Sequence, residues 1–230
     1  MDFSKRIKEI VDLIEYRTIV DIGTDHCYIP ILAFKNGKID KAVATDINKG
    51  PLLTAQNNVN KEGLSEKIEL RLSDGLSKIN KGDGETLIIA GMGGLLIIEI
   101  LEKAKELIPS FQQIILQPQS DIDKVRKFLH DKCLQIYDER LLFDTGKYYN
   151  IIDCRAGRED NYTEKEYIFG KKLIEKKDKD FMAYLSREIL KYEKIALQIS
   201  ENTAVENQER AKEINEYIKA CKELMDNHGS

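Results

Sequence analysis

Short runs dense in apolar and β-branched residues recur along the first two thirds of the chain, at 18–23 (TIVDIG), 41–47 (KAVATDI), 68–74 (IELRLSD), 86–91 (TLIIAG) and 113–118 (QIILQP). The stretches between them carry apolar residues at helical spacing, and five strands alternating with helices predict a parallel sheet covered on both faces. Pro51 suits the first turn of a helix that Gly63 closes, and Ser120 with Asp123 predicts a cap before VRKFLHDK. Segments 134–144 and 148–155 flank Thr145-Gly146-Lys147 and predict an antiparallel hairpin, which brings the strand count to seven. The opening MDFSKRIKEIVDLIEY interleaves charge with apolar residues, as a helix does and a signal peptide does not.

From about Asn161 the pattern changes. Gly and Pro nearly vanish, and apolar residues return every three or four positions: Phe181, Leu185, Ile189, Tyr192, Ala196 and Ile199, then Ala211, Ile214, Ile218, Cys221 and Met225. Two long helices are expected, with a turn at 200–203 (SENT). Each has one apolar stripe, so they are expected to form an antiparallel hairpin leaning on itself and partly on the sheet domain. The expected domains are 1–157 and 158–230.

Composition narrows the function. With 42% hydrophobic and 33% charged residues the chain is neither disordered nor collagen-like, and no stretch approaches a membrane span, so a cytoplasmic protein is expected. Lys and Arg number 36 against 40 Asp and Glu, a net charge of −4 that argues against indiscriminate adhesion to nucleic acid but leaves room for a local basic patch. Cys27, Cys133, Cys154 and Cys221 stand far apart without a C-x-x-C pair, so reduced thiols and no metal site are expected.

The chemistry gathers at the strand ends. The first strand runs into Asp21-Ile22-Gly23-Thr24-Asp25-His26, where a glycine permits a tight turn at the ligand-binding edge of a doubly wound sheet. A dinucleotide fingerprint requires glycine where this chain has Asp25, and a carboxylate there repels phosphate. S-adenosylmethionine has no phosphate and carries an ammonium and a sulfonium, so the same carboxylate attracts it. Asp21 is expected to reach the methionine ammonium, Asp46 (beside Ile47) the ribose hydroxyls, and Asp74, followed by Gly75, the adenine amino group. Each acid taken alone also reads as turn or cap chemistry; three at successive strand ends make coincidence unattractive. The fourth strand delivers Ala90-Gly91-Met92-Gly93-Gly94, a bare backbone at the place of a methyl acceptor, with a flexible loop as the bland alternative.

These residues resemble the bacterial TrmK family, S-adenosylmethionine-dependent methyltransferases acting on N1 of the adenine at tRNA position 22. The resemblance is carried by DIGTDHCYIP (21–30), DINKGP (46–51), SDGL (73–76), IAGMGG (89–94), ILQP (115–118) and GKY (146–148). It implies a Rossmann-like seven-stranded methyltransferase domain followed by a helical coiled-coil hairpin, with cofactor contacts at Asp21, Gly23, Asp46, Asp74, Gly75 and Gly91. It also implies tRNA as the partner, with no membrane, metal or obligate protein partner evident.

Adenine N1 has a free lone pair, so no general base is required for its in-line attack on the sulfonium methyl; orientation and water exclusion remain for the protein. Asp25, His26 and the carbonyls from Gly91 to Gly94 are the candidates for stabilising the cationic product, with Tyr28 or Met92 packing on the ring. His26 either touches substrate or braces the loop. Lys172, Lys176 and Lys179 step along one expected helix, and Lys5, Arg6 and Lys8 gather near the N-terminus; Arg6, Lys172 and Lys176 are candidate tRNA contacts, a solvated helix face being the competing reading of each cluster. The rivals are a methyltransferase with another RNA, small-molecule or protein acceptor, and a non-catalytic adaptor using its helical hairpin.

Overall fold

A computed structural model describes residues 3–200 and 205–226. In chain order, α1 (Lys5–Leu13) leads to β1 (Thr18–Ile22), α2 (Tyr28–Lys35), β2 (Lys41–Asp46), α3 (Lys49–Lys61) and β3 (Ile68–Leu72). Then come β4 (Thr86–Met92), α4 (Gly94–Lys103), a 3-10 turn (Ile108–Ser110), β5 (Gln113–Pro118), α5 (Ile122–Asp131), β6 (Leu134–Asp144) and β7 (Lys147–Ala156). The chain continues as α6 (Glu164–Phe169), α7 (Lys171–Lys176), α8 (Lys179–Ser200) and α9 (Val205–Asp226), and it divides into two compact units, Met1–Thr163 and Glu164–Ser230.

The seven strands of the first unit form one sheet in the order β3-β2-β1-β4-β5-β7-β6. All pairs from β3 to β5 are parallel, while β7 runs antiparallel to both β5 and β6. The predicted hairpin is thus present, but its second strand enters the sheet first and β6 takes the edge. Central positions such as Val20, Ile88, Ile89 and Ile115 are fully buried, as a parallel sheet covered on two faces requires. Because β1 to β4 are parallel, the loops after them emerge at one edge of the sheet, where doubly wound folds bind ligands.

Helix α1 is capped by Ser4, whose Oγ accepts from the Ile7 N–H at 3.4 Å, and it buries Ile7, Ile10, Val11 and Leu13. The cap predicted for α5 from Ser120 and Asp123 is not formed. The N-cap is Asp121, in a left-handed conformation (φ 50°) and making no side-chain cap bond. Its carboxylate accepts from Ser120 Oγ (2.9 Å) and Lys124 Nζ (2.7 Å) instead. The reason is tertiary: the Ser120 carbonyl accepts from the Gly94 N–H at 3.1 Å, which sets the path of the chain into α5. His130, on α5, is nearly covered. Its Nε2 lies 3.0 Å from Glu159 Oε1 and its ring meets Tyr162 edge-on at 4.4 Å, securing the chain that leaves β7.

The second unit departs from two long helices. Gly170 (φ 88°) separates α6 from α7, and Lys177 (φ 47°) ends α7, so Lys179 stands on a different helix from Lys172 and Lys176. Helices α8 and α9 run antiparallel, joined by Lys222 to Glu193 (2.8 Å), Ser186 to Met225 (3.9 Å) and Tyr217 to Glu188 (3.2 Å). On α9 the covered stripe is Ile214, Ile218, Cys221 and Leu224, with Met225 only partly covered; on α8 it is deepest at Phe181 and Leu185. Of the turn expected at 200–203, residues 201–203 lie outside the described residues. No helix among the described residues is long and apolar enough to cross a membrane.

Candidate active site

The loops after β1, β2, β3 and β4 enclose a cavity of about 540 Å³. Its floor is the turn after β1. Gly23 (φ 69°), Asp25 (φ 52°) and Cys27 (φ 60°) are all left-handed, so the backbone reverses at alternate residues before α2 begins. Gly23 has a second reason to lack a side chain: a Cβ there would come 2.1 Å from Met92 Cε, because the methionine from β4 lies against this turn. Thr24 fixes the turn to the sheet, its N–H donating to the Thr45 carbonyl at 2.8 Å and its hydroxyl to Asp21 Oδ2 at 2.6 Å.

Asp21 is buried, and burial pushes its carboxyl up to about 6; the Thr24 hydroxyl and the Arg6 charge oppose that rise, while Asp46 adds to it. Asp46 lies at the end of β2 with both oxygens held by backbone, Oδ1 accepting from the Asn48 N–H at 2.8 Å and Oδ2 from the Asp25 N–H at 3.3 Å. A carboxylate fixed in this way keeps lone pairs free for a diol. Asp74 and Gly75 follow β3, and Asp74 is exposed to the cavity. Gly75 (φ 50°) sits against α4, where a Cβ would meet Ile100 at 3.2 Å. Leu96, one turn before Ile100, lines the same wall, and Ile47 lines the cavity from the end of β2. These apolar walls suit a planar base.

The remaining wall is built by the end of β4 and the turn after β1. Gly91 (φ 79°) forms a bulge between the paired residues Ala90 and Met92, where β4 slips in register against β5 beside the cavity. Gly94 packs so tightly that a Cβ would lie 2.3 Å from the Ser120 carbonyl oxygen. Across the turn, His26 Nε2 stands 3.4 Å from Asp25 Oδ2, its ring stacks on Tyr28 at 5.2 Å, and its carbonyl accepts from Asn58 Nδ2 at 3.0 Å. Cys27 is fully buried, and burial pushes its thiol up, so it stays protonated and unreactive.

Arg6 reaches this cavity from α1, and among the described residues it is the one Lys or Arg on the wall. Its Nη1 donates to Gln117 Oε1 at 2.8 Å and its guanidinium lies 5.6 Å from the centre of the Tyr149 ring. Gln117, fully buried in β5, holds Arg6 against the cavity. Leu96, Ile100 and Tyr149 were not anticipated at all. Asp21, Gly23, Asp25, His26, Tyr28, Asp46, Ile47, Asp74, Gly75, Gly91 and Met92 line this one cavity; Gly93 and Gly94 do not, and Lys172 and Lys176 belong to α7 of the second unit. No group of His, Cys, Asp and Glu that would hold a metal is present among the described residues, and all four cysteines are free.

Four carboxylates and one guanidinium around an apolar-walled cavity fit a ligand with cationic centres, a single carboxylate, a diol and a flat base, the inventory of S-adenosylmethionine. They do not fit a diphosphate. Comparison with known proteins agrees. Residues 19–223 match the TrmK family, described as tRNA (adenine(22)-N(1))-methyltransferase. The tRNA (adenine(22)-N(1))-methyltransferase of Bacillus subtilis (strain 168) is 33% identical over 236 residues, spanning 100% of this chain and 99% of that protein. The crystal structure of the B. subtilis m1A22 tRNA methyltransferase TrmK superposes with a TM-score of 0.85 at 32% identity, covering 97% of this chain and 98% of that one. A structure of M. capricolum TrmK in complex with the cofactor product S-adenosyl-homocysteine superposes with a TM-score of 0.79 at 32% identity, covering 95% and 99%.

Proposed function

The chain belongs to the TrmK family, and from that membership we infer that it transfers a methyl group from S-adenosylmethionine to N1 of adenine 22 in tRNA. The observation that carries the reading is the convergence of Asp21, Asp46 and Asp74, from three successive strand ends, on the cavity that the Gly91–Gly94 loop borders. A non-catalytic adaptor has no use for that convergence. The cytoplasm, with its tRNA, is the corresponding place of action.

Bound there, S-adenosylmethionine supplies an electrophilic sulfonium methyl. Asp21 receives the ammonium of the ligand and Asp46 its ribose diol, while Asp74 and the Gly75 backbone read the adenine edge between Ile47 and Leu96. Arg6, expected from the sequence to meet tRNA, is better suited to the ligand's carboxylate: it is the one basic side chain on a wall of acids and lies within electrostatic reach of Asp21. The acceptor adenine enters beside Gly91 and Met92. Backbone carbonyls of that loop and the Asp25–His26 pair accept from its exocyclic amine, stabilising the positive charge that grows as N1 attacks. Nitrogen N1 brings its own lone pair, so the chain orients the two reactants and excludes water, and no side chain has to remove a proton before attack. Lys172 and Lys176 are proposed to meet tRNA phosphates.

The test is methylation of an unmodified tRNA transcript, with the modified nucleotide mapped. Methyl transfer to N1 of adenine 22 is expected, and transfer only to another acceptor would overturn the reading.

A further inference from the structure

Leu95 is half exposed and directly precedes Leu96, which lines the cavity, and the transfer chemistry described above makes no use of it. It is the second residue of α4, a position in the first helical turn where polar and acidic residues are the ordinary choice. Leu95, Leu96 and Ile47 are exposed apolar side chains, 55%, 48% and 60% accessible respectively. Ile47 and Leu96 line the cavity itself; Leu95 does not. Its backbone cannot yield, because the preceding Gly94 is bonded to the Ser120 carbonyl at 3.1 Å and leaves no room for even a Cβ, while Ile97 two residues later is fully buried.

A rigidly held, water-facing leucine beside an acceptor entrance has a use when the acceptor atom is N1. That atom lies on the pairing edge of adenine, so a base engaged in the folded tRNA must leave its stack to react, and proteins that extract or unstack bases fill the opened step with an apolar side chain. Building on the tRNA methyltransferase reading, we propose that Leu95 is this wedge. When the target adenine passes the Gly91–Gly94 loop into the cavity, Leu95 enters the gap it leaves and packs on the bases above and below. The occupant of this exposed face is therefore the tRNA itself, at the nucleotides flanking the target.

The proposal is tested by single-turnover methylation with Leu95→Ala and Leu95→Met on two transcripts: the native tRNA, and one in which the nucleotide facing the target adenine is changed so that the adenine stands unpaired. Leu95→Ala is expected to slow methylation of the native transcript roughly tenfold or more, to approach the wild-type rate on the unpaired transcript, and to bind S-adenosylmethionine as the wild type does. Leu95→Met should restore most of the rate. An equal loss on both transcripts, or no loss on either, overturns the wedge. So does a wild-type dimer, seen by sedimentation, that Leu95→Ala dissociates without distinguishing the transcripts. Wild-type protein that methylates neither transcript would instead overturn the functional reading on which the wedge rests.

Discussion

On the proposed placement of the cofactor's ammonium against Asp21, binding becomes coupled to pH. Burial holds its carboxyl at about 6 in the folded protein, whereas an unfolded aspartate titrates near 3.9. The folded state therefore holds the extra proton between about pH 4 and 6, and the contribution of Asp21 to stability falls as pH rises through that window and stays low above it. Asp21→Asn is expected to stabilise the ligand-free protein at pH 7 by about 2–3 kcal/mol in urea denaturation, while weakening S-adenosylmethionine binding. Binding runs the other way with pH. An ammonium beside Asp21 favours the carboxylate, so calorimetry should find affinity falling by up to about tenfold per unit below pH 6, a dependence that Asp21→Asn removes. Arg6 offers a sharper test of chemistry: Arg6→Gln should cost roughly tenfold or more in affinity for S-adenosylmethionine and little for its decarboxylated analogue, because only the former presents an anion. An equal loss for both ligands would remove the carboxylate from Arg6. For His26 the expectation is that His26→Ala lowers the single-turnover rate by about tenfold or more with cofactor affinity near wild type, and an unchanged rate would make the residue a brace for the loop.

At the scale of elements, α5 is fixed to β6 by an ion pair that few local cues announce. Arg126 Nε meets Glu139 Oε1 at 2.7 Å, and both side chains are 1% exposed. Nothing in the spacing of VRKFLHDK separates Arg126 from the solvent-facing Lys124 and Lys127 on either side. Glu139→Ala leaves a buried guanidinium without its carboxylate, so a loss of about 3–5 kcal/mol is expected in chemical denaturation, with the cofactor cavity on the far side of the sheet order little changed. The strands themselves were readable because β-branched runs buried on two faces need no knowledge of their neighbours. The break at Gly170 and Lys177 was not, since the apolar rhythm on either side suggests one continuous helix; only left-handed backbone at those two residues divides it. Likewise the Ser120–Asp123 cap was a sound local pattern overridden by the bond from Gly94.

For the whole molecule, the acidic balance of the chain sets tRNA recognition as a matter of placement. Lys172 and Lys176 lie a turn apart on α7, and reversing both to Glu is expected to weaken tRNA binding and to flatten its dependence on salt by up to about two units of logarithmic slope. An unaltered slope would remove α7 from the recognition surface. The sequence by itself determined the groups from which the proposed site is built: acids at successive strand ends, a glycine-rich fourth loop and a carboxylate where a diphosphate would need a bare turn. Those features are local, each set by a run of a few residues and by the rule that parallel strands release their loops at one edge. Only the tertiary structure decided that β7 enters the sheet between β5 and β6, that Arg6 is turned into the cavity by a glutamine 111 residues away, and that Leu95 is left half exposed next to the cavity-lining Leu96. Such contacts join residues far apart in the chain, and no pattern along it encodes which of them will meet.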